Sequence, residues 1–183
     1  MLFRFLILSD EVDDFRREIL IDSEATFLTL HDAILDSVGF TKDQMSSFFI
    51  CDDDWSKRTE ITLVEMDTST DEDNYVMDVT MLEELLEDEQ QKLMFVFDYL
   101  TERAFFMELR EIVTGQSMQT PVCRRSVGDP PPQFITFDDF DAKLITASVS
   151  EEFYGDSEYN LDELDEAGFE GLTNDNPFDE ERF

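Results

Sequence analysis

Residues 80–113 read TMLEELLEDEQQKLMFVFDYLTERAFFMELREIV, a short amphipathic segment followed by two apolar ones joined by a polar turn. Thr80 and Glu83 stand at Thr-x-x-Glu spacing, the capping box that satisfies free N–H groups at a helix start. Leu82, Leu85 and Leu86 then recur at helical spacing and predict one apolar face. The run Glu87-Asp88-Glu89-Gln90-Gln91 breaks that pattern and is expected in solvent. Next, Leu93, Phe95 and Phe97 alternate with Met94, Val96 and Asp98. Both sets are apolar up to Asp98, which predicts a central strand over residues 93–98. Residues 99–103 make a tight polar turn. Phe105, Met107 and Leu109 then alternate with Phe106, Glu108 and Arg110, a strand with one wetter face. Burying such side chains contributes roughly 1.5–3 kcal/mol each.

Outward from this unit, the apolar alternation of residues 2–8 predicts a first strand. Residues 10–14 form a polar turn and residues 15–21 a returning strand. Thr26 is a predicted helix N-cap, Phe27, Leu30, Ile34, Leu35 and Val38 give the helix one apolar face, and Gly39 is placed to end it. Residues 47–51 and 60–66 read as two further strands, separated by the acidic loop Asp52-Asp53-Asp54. Residues 116–133 read as irregular, because the prolines at 130–132 have no N–H to donate to a ladder. The expected fold is α+β, in ββαββαββ order. It has one mixed sheet with helices on one side and a β-grasp arrangement as the nearest analogy. The domain is expected to span residues 1–136. Residues 137–183 hold sixteen acidic and two basic side chains, with scattered Phe and Leu. That composition predicts a disordered acidic tail.

The 183 residues carry a formal charge of −33, so any partner has to tolerate or seek negative charge. Non-specific nucleic-acid binding draws on counterions released by Lys and Arg, and is not expected of this chain. An anionic membrane surface would repel it, and no apolar run approaches the ~20 residues of a membrane span. Only Cys51 and Cys123 are present, which is no disulfide framework, and the expected location is the reducing cytoplasm.

Chemistry-bearing motifs are sparse. His31 is the only histidine and sits beside the apolar face of the first helix. It reads as a packed structural residue, with a functional role as the alternative. Trp55, in an acidic loop, is either a lid over the core or an interface anchor. Asp98 and Glu102 are the carboxylates that a divalent-metal enzyme would use. Asp67-x-Ser69-x-Asp71 partly imitates a calcium loop but lacks its glycine and its final Glu. No phosphate loop, nucleophile elbow or dinucleotide fingerprint is present. In the tail, Leu161 and Leu164 lie at i, i+3 among carboxylates, a pattern suited to a groove that is apolar at its floor and basic at its rim.

Thr26-Phe27-x-x-Leu30-His31-x-x-Ile34, followed by Gly39-Phe40, resembles the first helix of the plasmid pRiA4b ORF-3-like domain family. Phe97-Asp98-Tyr99 is similar to the start of that family's aromatic-Asp-Phe-Gly-Asp turn. Leu100 and Thr101 replace its Gly and Asp, and Arg103 replaces a common Trp. Pro121-Val122-Cys123 and the segment from Gly128 to Pro132 resemble a third motif, with Gln133 and Phe134 in place of its acidic pair. The resemblance spans residues 1–135 and implies an α+β domain without an assigned activity. Some members are carried by plasmids or insertion elements. Taken together, the expected function is a non-enzymatic interaction module with a protein partner, for which charge favours a basic one. No cofactor is called for. A carboxylate enzyme using a divalent metal and an acidic decoy of nucleic acid are the alternatives.

Overall fold

The computed structural model describes residues 1–65 and 75–135. Strands β1 (Leu2–Ser9) and β2 (Arg16–Asp22) lead into helix α1 (Phe27–Val38). Strands β3 (Ser47–Cys51), β4 (Lys57–Thr62) and β5 (Tyr75–Val76) precede the single-turn helix α2 (Leu82–Leu85). Strands β6 (Lys92–Asp98), β7 (Arg103–Val113) and β8 (Val122–Val127) complete one eight-stranded sheet, ordered β5-β4-β3-β6-β7-β1-β2-β8. Every neighbouring pair is antiparallel except β4 and β5, so the sheet is mixed and the fold is α+β.

The sheet's central strands are those whose apolar alternation is strongest. Phe95 of β6 lies opposite Phe48 of β3 and Phe105 of β7, and all three are fully buried. The Phe48 and Phe95 ring centroids are 4.8 Å apart, and those of Phe97 and Phe105 are 4.7 Å apart. On the far side of β7, Phe5 of β1 faces both Leu109 and Ile19. Leu30 and Ile34 of α1 and Leu82 of α2 join these side chains in one cluster, so both helices cover the same face of the sheet.

Both caps predicted for α1 are present. Thr26 Oγ1 accepts from the Thr29 N–H at 3.3 Å, and Gly39 ends the helix at φ 71°. The helix start is also stitched to the chain before α2. The Phe27 and Leu28 N–H groups, which a helix leaves unpaired, donate to Thr80 O and Met77 O at 3.0 and 2.8 Å.

Four details depart from the sequence expectation. The cap of α2 falls one residue later: the Met81 N–H donates to Glu84 Oε1 at 3.0 Å. Thr80 is buried, and Glu83 instead accepts from Ser23 Oγ at 2.8 Å. β4 runs from Lys57 to Thr62, not over residues 60–66, because the tight turn after Cys51 sets its register with β3. The two-residue strand β5 had no periodicity to show it.

The fourth departure is β8, which lies within the stretch expected to be irregular. It pairs with β2 although none of its residues is buried, so burial did not mark it. Backbone and arginine hold it in place. Arg17 is 4% exposed and donates to Val127 O at 2.7 Å and Gly128 O at 3.1 Å. Gly128 adopts φ 68°, and a Cβ there would lie 2.5 Å from Asp14 O, so the close approach requires glycine. The tail from residue 136 onward lies outside the described residues, as does most of the calcium-like loop.

Candidate functional site

Two acidic loops meet at one end of the sheet. β3 ends at Cys51 and its antiparallel neighbour β6 begins at Lys92, directly opposite. The loop after β3 and the segment before β6 are therefore side by side. They enclose a groove of about 920 Å³ with Ile50, Cys51 and Leu85 among its lining residues. Seven carboxylates line it, namely Asp52, Asp53 and Asp54 from one loop and Glu84, Glu87, Asp88 and Glu89 from the other segment. Among the described residues, Lys92 is the one basic side chain in that lining.

Local hydrogen bonding fixes both walls. On the first wall the Trp55 N–H donates to Asp52 O and the Asp52 N–H to Ser56 O, each at 3.0 Å. Asp54 Oδ1 accepts from the Ser56 N–H at 3.1 Å, and that bond holds the Asp54 carboxyl below its ordinary range. Asp52 pairs with Arg58. On the second wall, Gln91 acts as a brace. Its Oε1 accepts from the Glu87 N–H at 3.2 Å, and its Nε2 donates to Leu85 O at 2.8 Å. Glu84 caps α2, and Glu89 Oε1 accepts from the Ile112 N–H at 2.9 Å. Asp53, Glu87 and Asp88 have no cationic side-chain partner among the described residues.

These carboxylates line an extended wall and do not converge on a point. No group of three or more His, Cys, Asp or Glu is placed to hold a metal ion among the described residues. The arrangement suits several separated positive charges. Burial raises the Cys51 thiol above its ordinary value, so it sits in the lining as a protonated apolar group.

Of the described residues that the sequence offered as candidate functional side chains, Trp55 alone belongs to this neighbourhood. It adopts φ 68°, is half-buried, and meets Phe106 edge-on at 5.0 Å. Phe106 lies on the sheet face away from the helices. Lys92 Nζ lies over the indole, 5.1 Å from its centroid, and donates to Asp53 O. Trp55 thus fixes the cation and the loop at the groove's edge.

Asp98 and Glu102 belong to the β6–β7 turn. Asp98 accepts from the Leu100 N–H at 2.9 Å and from Thr101 Oγ1 at 2.7 Å. Its oxygens close the turn, while Glu102 supplies a residue at φ 52°. His31 is 1% exposed and packs edge-on against Phe95 at 5.6 Å. Its Nδ1 lies 2.9 Å from Asp32 Oδ1, and its Nε2 is buried without a hydrogen-bond partner. Leu161 and Leu164 lie outside the described residues. The sequence showed both acidic loops but not their meeting. The signal for it was the pairing of β3 with β6, which requires the fold.

A family model described as plasmid pRiA4b ORF-3-like protein matches residues 5–141. The chain belongs to the plasmid pRiA4b ORF-3-like family. The match takes in α1, the β6–β7 turn and β8, the three places that carried the sequence resemblance. The family's turn position at Asp98 closes the β6–β7 turn in this pRiA4b ORF-3-like chain, and its altered position at Arg103 holds a buried ion pair. None of the curated proteins matches significantly. Among solved structures, the chain is similar to the crystal structure of a protein of unknown function, MM3350, from Methanosarcina mazei Go1. The identity is 14%, with 83% of this chain and 84% of that chain covered at a TM-score of 0.55. That likeness concerns the fold. No helix among the described residues is long and apolar enough to cross a membrane.

Proposed function

We propose that this pRiA4b ORF-3-like protein is a non-enzymatic interaction module that takes a basic segment of a partner protein in the acidic groove. The observation that carries the reading is the set of seven carboxylates on two braced loops, facing one lysine. A Lys- or Arg-bearing segment would set its charges along the wall and its aliphatic stems against Ile50 and Leu85. Exposed charge pairs are individually weak, so affinity has to come from several acting together, and charge steers the encounter. In this reading the acidic segment after residue 136 adds long-range attraction, with Leu161 and Leu164 as apolar anchors on the same partner.

The test uses a capped oligolysine peptide as probe, titrated calorimetrically into the full chain. Asp53→Asn, Glu87→Gln and Asp88→Asn are combined in one variant. The expected result is salt-sensitive binding that this variant weakens by at least about tenfold, or ~1.4 kcal/mol. Unchanged binding would show that net charge alone attracts the probe, and would remove the groove from the mechanism. Replacing Leu161 and Leu164 with Ser, with every charge kept, tests the anchor role separately against a basic probe bearing leucines.

A further inference from the structure

The β8 edge of the sheet offers a surface of opposite sign. β8 is the last strand in the order. Its ladder runs to β2, and no described residue pairs with its outer edge. All six of its residues are exposed. A strand edge in that state presents backbone N–H and C=O groups able to pair with another strand. Beside it, α1 and the start of β8 enclose a groove of about 500 Å³, with Leu28, Ala33, Pro121 and Cys123 among its lining residues. An open edge next to a helix-walled groove suits strand addition. Ladder hydrogen bonds then supply affinity, and alternate side chains entering the groove supply specificity.

Charge selects the occupant. Arg124 and Arg125 are exposed on β8 and form no ion pair among the described residues. The carboxylates on the groove's other wall, Asp32 and Asp36, are both engaged by Lys42, at 3.4 and 2.9 Å. Glu18, across the ladder from Arg125, is already bridged by Arg16 and Arg4, so among the described residues the two guanidinium groups are the charges left unpaired along this edge of an otherwise acidic chain. A second copy of β8 would bring arginines against arginines, which disfavours self-pairing. We propose that the outer edge of β8 accepts an extended segment of a partner protein in which carboxylates alternate with small apolar side chains. The carboxylates meet Arg124 and Arg125, and an apolar side chain enters the groove over Leu28 and Ala33. This surface is separate from the acidic groove and does not depend on it.

The probe is a capped peptide of alternating Glu and Val, added to the full chain. It is read by calorimetry and by amide hydrogen exchange. The expected result is binding with new protection at residues 122–127. It weakens at least about tenfold when alternate peptide amides are N-methylated, when Lys replaces Glu in the peptide, or in an Arg124→Glu, Arg125→Glu variant. The N-methylated arm leaves the protein unaltered, so it holds even where the variant folds poorly. Four outcomes overturn the proposal. These are no binding up to about 1 mM, equal binding of the N-methylated peptide, protection at the acidic groove instead, and β8 edge amides already protected in the chain without peptide. The last would show the edge occupied by the chain itself or by a second copy.

Discussion

Arg103 grips Glu11 with two nitrogens, Nε to Oε1 at 2.7 Å and Nη2 to Oε2 at 3.2 Å, across 92 positions of sequence. The same guanidinium donates to Pro132 O at 2.6 Å and Gln133 O at 3.3 Å, and lies over the Phe97 ring. One buried cation therefore joins the β1–β2 turn, the start of β7 and the segment after β8. Breaking a buried pair by removing one partner costs more than the pair's net worth, because the remaining charge and carbonyls stay desolvated. Arg103→Met is expected to destabilise by about 3–5 kcal/mol in denaturant unfolding, with faster amide exchange over residues 130–135. A cost below ~1 kcal/mol would show that water replaces the guanidinium.

Phe95 is the second anchor, with Phe48, Phe105 and His31 around its ring. It sits mid-sheet with no exposed surface, so its loss leaves a cavity that neighbouring strands cannot close. Phe95→Ala is expected to cost roughly 3–5 kcal/mol, and Phe95→Leu substantially less. Equal costs for the two variants would mean that the site collapses freely.

What could be read from sequence follows what each element is held by. β6, β7 and α1 are held by apolar burial, which leaves a period of two or 3.6 in the residues. Thr26 and Gly39 marked the ends of α1 because capping chemistry is local. β8 is held by its ladder to β2 and by Arg17, and neither leaves a period. α2 was displaced by one residue because Thr80 and Met81 both precede a Glu at capping distance. In the acidic groove, residue types were visible and their convergence was not. It depends on Cys51 lying opposite Lys92, a relation between strands 41 positions apart. The burial of His31 against Phe95 follows from its place beside the apolar face of α1, whereas Asp98 could not be recognised as a turn closer without the positions of Leu100 and Thr101.

Truncation tests where the domain ends. Gln133 Oε1 accepts from the Thr41 N–H at 2.8 Å, and its Nε2 donates to Thr41 O at 2.9 Å. Together with Arg103, these bonds place residue 133 within the fold. A chain ending after Ile135 is expected to melt within about 4–8 °C of the full chain, while one ending after Val127 loses considerably more. If the first truncation already lowers the melting temperature by more than this, the acidic segment contributes to folding.

His31 sets a distinct pH dependence. Burial of the imidazole lowers its pKa below the ordinary 6.5, outweighing the opposing pull of the Asp32 carboxylate. Lys42 adds to the lowering, and Asp36 opposes it. The native state therefore resists a proton that the unfolded chain accepts below pH ~6.5. Stability contributed by the neutral ring is fully present above that value. It falls as pH drops toward the lowered native pKa, by at most about 1.4 kcal/mol per pH unit, and then levels off. Carboxylates titrate at lower pH, so the informative quantity is the difference between the parent and His31→Leu. The Leu variant removes both the titration and the unpartnered buried Nε2. It is expected to match the parent within about 1.5 kcal/mol at pH 8. Between pH 6.5 and 5 it should become progressively the more stable of the two. Parallel stability curves across that window would mean that the folded chain takes up the His31 proton as readily as the unfolded chain, and that burial does not oppose it.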